Sequence, residues 1–149
     1  MSAKYTGGCQ CGAVRYAFDA EPENPHICHC RMCQKAFGSF FAPLFAIPDA
    51  ALSWTRGAPS YFRSSSVADR GFCSACGTPL VFRFHNADMI DLSIGSLDDP
   101  AAVKPANQYG TESRMPWFAE LSALPGTRTE DDQPDALAHL TSYQHPDHD

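Results

Sequence analysis

No run of this sequence is apolar for long enough to cross a bilayer. The longest, Phe40 to Pro48, is interrupted by Pro43, and a spanning helix needs about 20 apolar residues. The opening MSAKYTGGCQ lacks the apolar core of a secretory signal. Basic stretches are missing too: no Lys/Arg stripe offsets a formal net charge of −6. Loading thiolates with divalent metal would deepen that charge. Such a surface repels nucleic acid and anionic membranes, so neither is expected as a partner. Extended helical periodicity is scarce. No repeat or internal linker divides the 149 residues, so a single domain spanning 1–149 is expected, large enough for a real core. From about Thr127 the chain turns polar and acidic and reads as a loosely ordered tail. These features fit a soluble protein of the cytoplasm, where reducing conditions keep thiols free.

Strand signals are plentiful. Ala13 to Phe18 alternates, with Val14, Tyr16 and Phe18 on one face. Phe40 to Ile47 reads as a buried strand, or two short ones bent at Pro43. Leu52–Thr55, Ser60–Arg63, Pro79–Phe84 and Met89–Ile94 are further strand candidates, punctuated by Gly57, Pro59, Gly71, Gly77 and Asn86. Arg31 to Phe37 could form two helical turns. Asp98-Asp99-Pro100 resembles an N-cap with proline in the first turn, and Met115 to Leu121 a second such start. The expected class is mainly β with short helices.

Seven cysteines fall into three tight groups: Cys9-x-Cys11, Cys28-x-Cys30-x-x-Cys33 and Cys73-x-x-Cys76. Disulfide frameworks spread their cysteines to close longer loops. Short clusters separated by tens of residues point to metal, zinc first. A closed structural site takes four protein ligands, and a catalytic one keeps three with a position open. Seven divides into four plus three, hence two Zn²⁺ per chain.

Local chemistry sorts the groups. Gly12 follows Cys11 and Gly77 follows Cys76, and a glycine there permits the positive φ of a metal knuckle. Cys9, Cys11, Cys73 and Cys76 thus form a candidate Cys₄ structural zinc site. The middle run, CHCRMC, has neither that glycine nor a fourth cysteine. Cys28 and Cys30 share one side of an extended segment, and Cys33 returns from the first turn of a helix. Three thiolates with an open position could polarise a bound thiol or water. A histidine could instead close the site. His29 is nearest in sequence, though alternation points it away, and His26 and His85 remain open alternatives. Metal-free thiols remain open, as does an iron–sulfur cluster, although neither ferredoxin-type spacing occurs. Arg31 and Lys35 could offset thiolate charge or meet a substrate carboxylate, or lie on a solvated helix face.

GGCQCGAVRY, CHCRMCQKAFGS, FCSACGTPL and IGSLDDP occur in that order. In this combination the chain resembles the glutathione-dependent formaldehyde-activating enzyme family, which also includes centromere protein V. The likeness runs from Gly7 to about Pro125 through weaker SRMPWF and LP segments. It implies an Mss4-like, mainly β fold with zinc-clipped sheets. It also implies a structural zinc at Cys9, Cys11, Cys73 and Cys76 and a catalytic zinc at Cys28, Cys30 and Cys33. The implied reaction joins formaldehyde to the glutathione thiol to give S-(hydroxymethyl)glutathione, a carbon–sulfur lyase activity.

The expected function is therefore a zinc-dependent carbon–sulfur lyase acting on a small thiol, glutathione being the family's. The alternative is a non-catalytic zinc module that binds a partner protein or a thiol metabolite. Chromatin association, by analogy to the centromere relative, is disfavoured by acidity and by the absence of a basic extension.

Overall fold

The computed structural model describes residues 2–149. Its strands are β1 (Tyr5–Gly8), β2 (Arg15–Phe18), β3 (Glu23–Cys28), β4 (Ala42–Pro48), β5 (Ser53–Arg56), β6 (Ser60–Arg63), β7 (Ala68–Phe72), β8 (Pro79–Phe84), β9 (Met89–Ser93) and β10 (Asn107–Tyr109). The α-helices are α1 (Arg31–Phe37), α2 (Thr129–Asp132) and α3 (Pro134–Ala138), with short 3₁₀ segments between elements. A three-stranded sheet runs β1-β2-β5, and a seven-stranded sheet runs β10-β3-β4-β9-β8-β7-β6. All pairings are antiparallel except β10 with β3. The class is mainly β with short helices, as expected.

Alternation along the large sheet gives it two different faces. On one, Phe45, Ile47, Ile90 and Leu92 pack with Tyr16 and Phe18 of the small sheet into the main core. On the other, Leu44 and Ala42 meet Cys33 of α1, flanked by Phe37 and Phe82. The register Ala46↔Asp91↔Phe82↔Arg70 sets four residues of this second face in one row across β4, β9, β8 and β7. Asp91, Phe82 and Arg70 of this row, with Leu44 of β4, floor the cavity described below.

The apolar strands fall where alternation put them, and α1 spans the expected residues. β4 runs through Pro43 without a break. The β9 ladder begins only at Leu44, so the missing amide of Pro43 removes no bond there. Four strands carried no apolar signal: YTGG in β1, ENPHIC in β3, ADRGF in β7 and NQY in β10. Their neighbours in the sheet impose the extended form. Asp99-Pro100 opens a single 3₁₀ turn, Pro100–Ala102, and the second proposed start yields a 3₁₀ segment, Phe118–Ala123. Beyond Arg128 the chain forms α2 and α3 and returns to the N-terminal hairpin. There the His145 amide donates to Gln10 O at 2.7 Å, and Arg15 donates to Asp149 from Nε and Nη2 at 3.0 and 2.7 Å.

Candidate functional site: two cysteine clusters and a cavity

Cys9 and Cys11 sit in the turn from β1 to β2, and Cys73 and Cys76 in the turn from β7 to β8. The two turns are built alike. Gly12 donates to Cys9 O and Gly77 to Cys73 O, at 3.1 and 2.8 Å. Both glycines hold positive φ, +79° and +83°, as their places after the second cysteine required. All four sulfurs lie within 4.8 Å of one another, with Cys9–Cys11 at 3.6 Å and Cys11–Cys73 at 3.8 Å. Disulfide sulfurs sit about 2.05 Å apart, whereas tetrahedral Zn–S bonds of about 2.3 Å place sulfurs about 3.8 Å apart. The donor set and spacing fit a closed metal site that joins the small sheet to the large one. Thr78 adds a tie between the turns that its sequence position did not reveal. Its Oγ1 accepts from the Gln10 amide at 3.0 Å and lies 3.3 Å from Cys76 Sγ.

The second cluster forms where β3 ends. Cys28 closes the strand, Cys30 is the N-cap of α1, and Cys33 lies in its first turn. Cys30 keeps extended φ/ψ while its sulfur accepts from the Cys33 amide at 3.4 Å, the geometry of an N-cap. Gly38, in the left-handed region, ends the helix by donating to Gln34 O. The three sulfurs lie within 4.8 Å of one another, and among the described residues no histidine or carboxylate joins them at that range. Burial pushes the Cys28 thiol up to about 12. It also raises Cys33, against the pull of a neighbouring guanidinium. Burial presses upward on Cys30 too, but the Cys33 amide and the adjacent thiols outweigh it, leaving this thiol below its ordinary value.

None of the three candidate histidines enters that cluster. His29 is fully buried between Phe41 and Phe118, and its Nε2 donates to Gln108 Oε1 at 2.9 Å. His85 pairs with Asp69 on the surface. His26 Nδ1 donates to Asn24 O at 2.7 Å. Arg31 is occupied with Gln34 Oε1 at 2.8 Å, and Lys35 lines a separate shallow groove beside α1.

Three residues at this cluster and its cavity gave no sequence signal. Arg70, on β7, donates from Nη2 to Cys33 Sγ at 3.4 Å and from Nε to Ser64 Oγ at 2.9 Å. Its guanidinium lies 4.9 Å from the Phe82 ring centroid. The second is Gly110, whose φ is +62°. A Cβ on it would come within 2.6 Å of the Cys30 nitrogen. Next to it, Tyr109 O accepts from the His29 amide at 2.8 Å, so the end of β10 holds the cysteine loop in place. The third is Asp91, whose carboxyl burial pushes above its ordinary range, opposed only by His26. The one signal available for these residues was proximity in the folded sheet.

The three-cysteine cluster opens on a cavity of about 540 Å³ between α1, the β6–β7 turn and the row of β4, β9, β8 and β7. Besides the cysteines, Met32, Leu44, Phe82, Arg70 and Asp91 line it. That size suits a small molecule.

The sequence profile of the glutathione-dependent formaldehyde-activating enzyme family matches residues 4–113. The chain belongs to this family. An uncharacterized lyase of Schizosaccharomyces pombe is 32% identical over 83 residues, covering 56% of this chain and 60% of that protein. The match thus spans about three fifths of the curated relative's length. A crystal structure of a Rhodobacter sphaeroides protein shares the fold, with a TM-score of 0.57 and 21% identity over 69% of this chain and 98% of that one. No helix among the described residues is long and apolar enough to cross a membrane.

Proposed function

We propose that this family member is a zinc-dependent carbon–sulfur lyase that makes and breaks adducts between a small thiol and an aldehyde, working in a reducing compartment such as the cytoplasm. Cys9, Cys11, Cys73 and Cys76 would hold a structural Zn²⁺, and Cys28, Cys30 and Cys33 a catalytic one, two per chain. The observation that carries the reading is the three-sulfur cluster, which no histidine, carboxylate or fourth cysteine among the described residues joins within 4.8 Å, opening on a cavity. A divalent zinc with an open position supplies a Lewis acid that lowers the pKa of a thiol or polarises a carbonyl.

The chain's own residues prepare that chemistry. Arg70 sets a fixed positive charge against Cys33, which offsets the negative charge that three thiolates concentrate. The apolar walls formed by Leu44 and Phe82 keep water from competing with the ligand. In the forward direction a sulfur–carbon bond forms at the aldehyde carbon, and the thiol's proton ends on the former carbonyl oxygen. The reverse breaks the same bond and releases both partners.

NMR exchange spectroscopy on glutathione with formaldehyde tests the reading, because the adduct forms unaided and only its rate can report catalysis. Exchange of glutathione, or of a smaller thiol in its place, should quicken with the zinc-loaded protein relative to Cys30→Ser at equal concentration. Equal rates for the two proteins, across glutathione and smaller thiols, would leave a non-catalytic zinc module in its place.

A further inference from the structure

The cavity beside the three-cysteine cluster has a chemistry of its own. Its walls are apolar and aromatic: Met32, Leu44, Val67, Phe82, Phe84 and Tyr109. Four of these are large side chains left about half exposed, Met32 at 48%, Val67 at 56%, Phe84 at 52% and Tyr109 at 45%. Isolated exposed apolar residues need no explanation, but a ring of them around one concave site marks a ligand surface.

The charges in the cavity are few. Arg70 is committed to Cys33 and Ser64, and its remaining Nη1 is shut away from solvent without a partner. No ligand carboxylate reaches that atom without displacing the wall. His26, the other nitrogen base, gives its Nδ1 to Asn24 O. Lys35 and Arg31 line the groove on the far side of Met32, not this cavity. Among the described residues that line the cavity, Asp91 is the one acidic group, and its only charged neighbour is the His26 ring, which makes no hydrogen bond to it. Among the described residues no side-chain or backbone donor makes a hydrogen bond to its carboxylate. Its place opposite Phe82 sets it two strands from Arg70, about 10 Å along the floor. A carboxylate held among aromatic rings without a donor is costly, and a cation arriving on a ligand removes that cost. Phe82 already carries the Arg70 guanidinium, but Phe84, about half exposed, lines the same cavity as an aromatic neighbour for that cation.

We infer that the cavity takes a thiol with an apolar body and a cationic nitrogen, the nitrogen seated on Asp91 while the sulfur lies at the three-cysteine cluster. This rests on the reading of that cluster as a thiol site and narrows the thiol. Glutathione is a poor match to these walls. It carries two carboxylates and one ammonium, and the cavity offers a carboxylate, no free guanidinium and little polar wall.

A matched series of thiols on the cobalt-substituted protein tests the inference, because thiolate–cobalt charge-transfer bands report ligand binding. The probes are para-(aminomethyl)benzyl mercaptan, benzyl mercaptan, para-(mercaptomethyl)benzoate and glutathione. The amine should bind roughly tenfold more tightly than the neutral thiol, and the benzoate and glutathione more weakly than either. Asp91→Asn, an isosteric change, should bring the amine down to the level of the neutral thiol. Equal or tighter binding of the benzoate or glutathione by the native protein overturns the inference, with no variant needed. An equal loss for all four probes in Asp91→Asn overturns it as well. Calorimetry with para-methylbenzylamine, which has no sulfur, reads the Asp91 subsite alone. Its binding, lost in Asp91→Asn, supports the subsite even if no thiol disturbs the cobalt bands, a result that would sink only the thiol reading of the cluster.

Discussion

Arg70 donates to the sulfur of Cys33 at 3.4 Å across 37 residues of chain. Among the described residues no basic side chain stands in this relation to the four-cysteine cluster, where the Val14 amide donates to Cys9 Sγ and the Thr78 hydroxyl lies 3.3 Å from Cys76 Sγ. One cluster is thus charge-compensated from outside and the other is not. Groups that bond to metal ligands typically shift affinity by 10–100-fold when removed. Arg70→Met should weaken metal binding at the three-cysteine site by about that factor, while Arg70→Lys recovers part of it. Chelator competition would show one metal leaving early in Arg70→Met and the other unchanged. Equal retention of both metals would make the Arg70 contact incidental.

The clusters should respond differently to cysteine loss. Cys9 and Cys11 belong to the small sheet's hairpin, Cys73 and Cys76 to a turn of the large sheet. A metal held by all four fastens the two. Structural zinc binding is worth about 10–16 kcal/mol in small peptides, against a net domain stability of about 5–15 kcal/mol. Cys73→Ser should therefore unfold or aggregate the chain, whereas Cys30→Ser should remain folded and lose one metal. Circular dichroism with metal analysis on both variants decides it, and equal unfolding would assign the middle cluster a structural role.

Cysteine spacing and strand alternation carried much of this structure. The Gly12 and Gly77 knuckles, α1, and the strands with apolar alternation all follow from local sequence. What stayed hidden has a common cause. Arg70, Asp91 and Gly110 are ordinary residues whose roles come from register: β7 beside β8, β9 opposite Phe82, and the end of β10 against Cys30. β10 is three polar residues, NQY, and nothing in them foretells a parallel pairing with β3. His29 was turned away from its cysteine neighbours by alternation, but its burial between Phe41 and Phe118 depends on residues 12 and 89 positions along the chain.

Gly110 offers a test of how tightly the cysteine loop is held. An alanine there meets the Cys30 backbone and takes a left-handed conformation. The conformation alone costs about 1–2 kcal/mol, and each ~1 kcal/mol lowers Tm by about 2–4 °C at this chain length. Gly110→Ala should melt several degrees lower and bind metal at the three-cysteine site more weakly. Gly126→Ala, where a Cβ meets nothing within 4 Å, should change neither.

Acid should act through Asp98. Arg15 donates to both of its oxygens, at 2.8 and 2.6 Å, and Thr6 donates a third hydrogen bond. Burial works against the carboxylate, but the Arg15 and Thr6 hydrogen bonds outweigh it and hold its pKa below the ordinary 3.8. A depressed carboxyl stabilises the fold fully above its unfolded pKa and ceases to as pH falls through the lower folded value. Asp98→Asn should destabilise the fold at neutral pH, tempered because Arg15 keeps Asp149 as a second carboxylate. The gap from the native protein should begin to close as pH approaches 3.8 and keep narrowing as pH falls toward the lower folded value. Urea titrations from pH 7 down to pH 3 would trace it, and a gap independent of pH would exclude the ion pair as its source.

The central claim is that the two cysteine clusters hold two metals of different completeness. Anomalous diffraction at the zinc edge on crystals of the fully loaded protein tests it directly. The account predicts two zinc ions per chain: one bound by Cys9, Cys11, Cys73 and Cys76, the other by Cys28, Cys30 and Cys33 with a fourth ligand that is not protein. A single zinc, or a second one closed by a protein side chain such as His26, would contradict it.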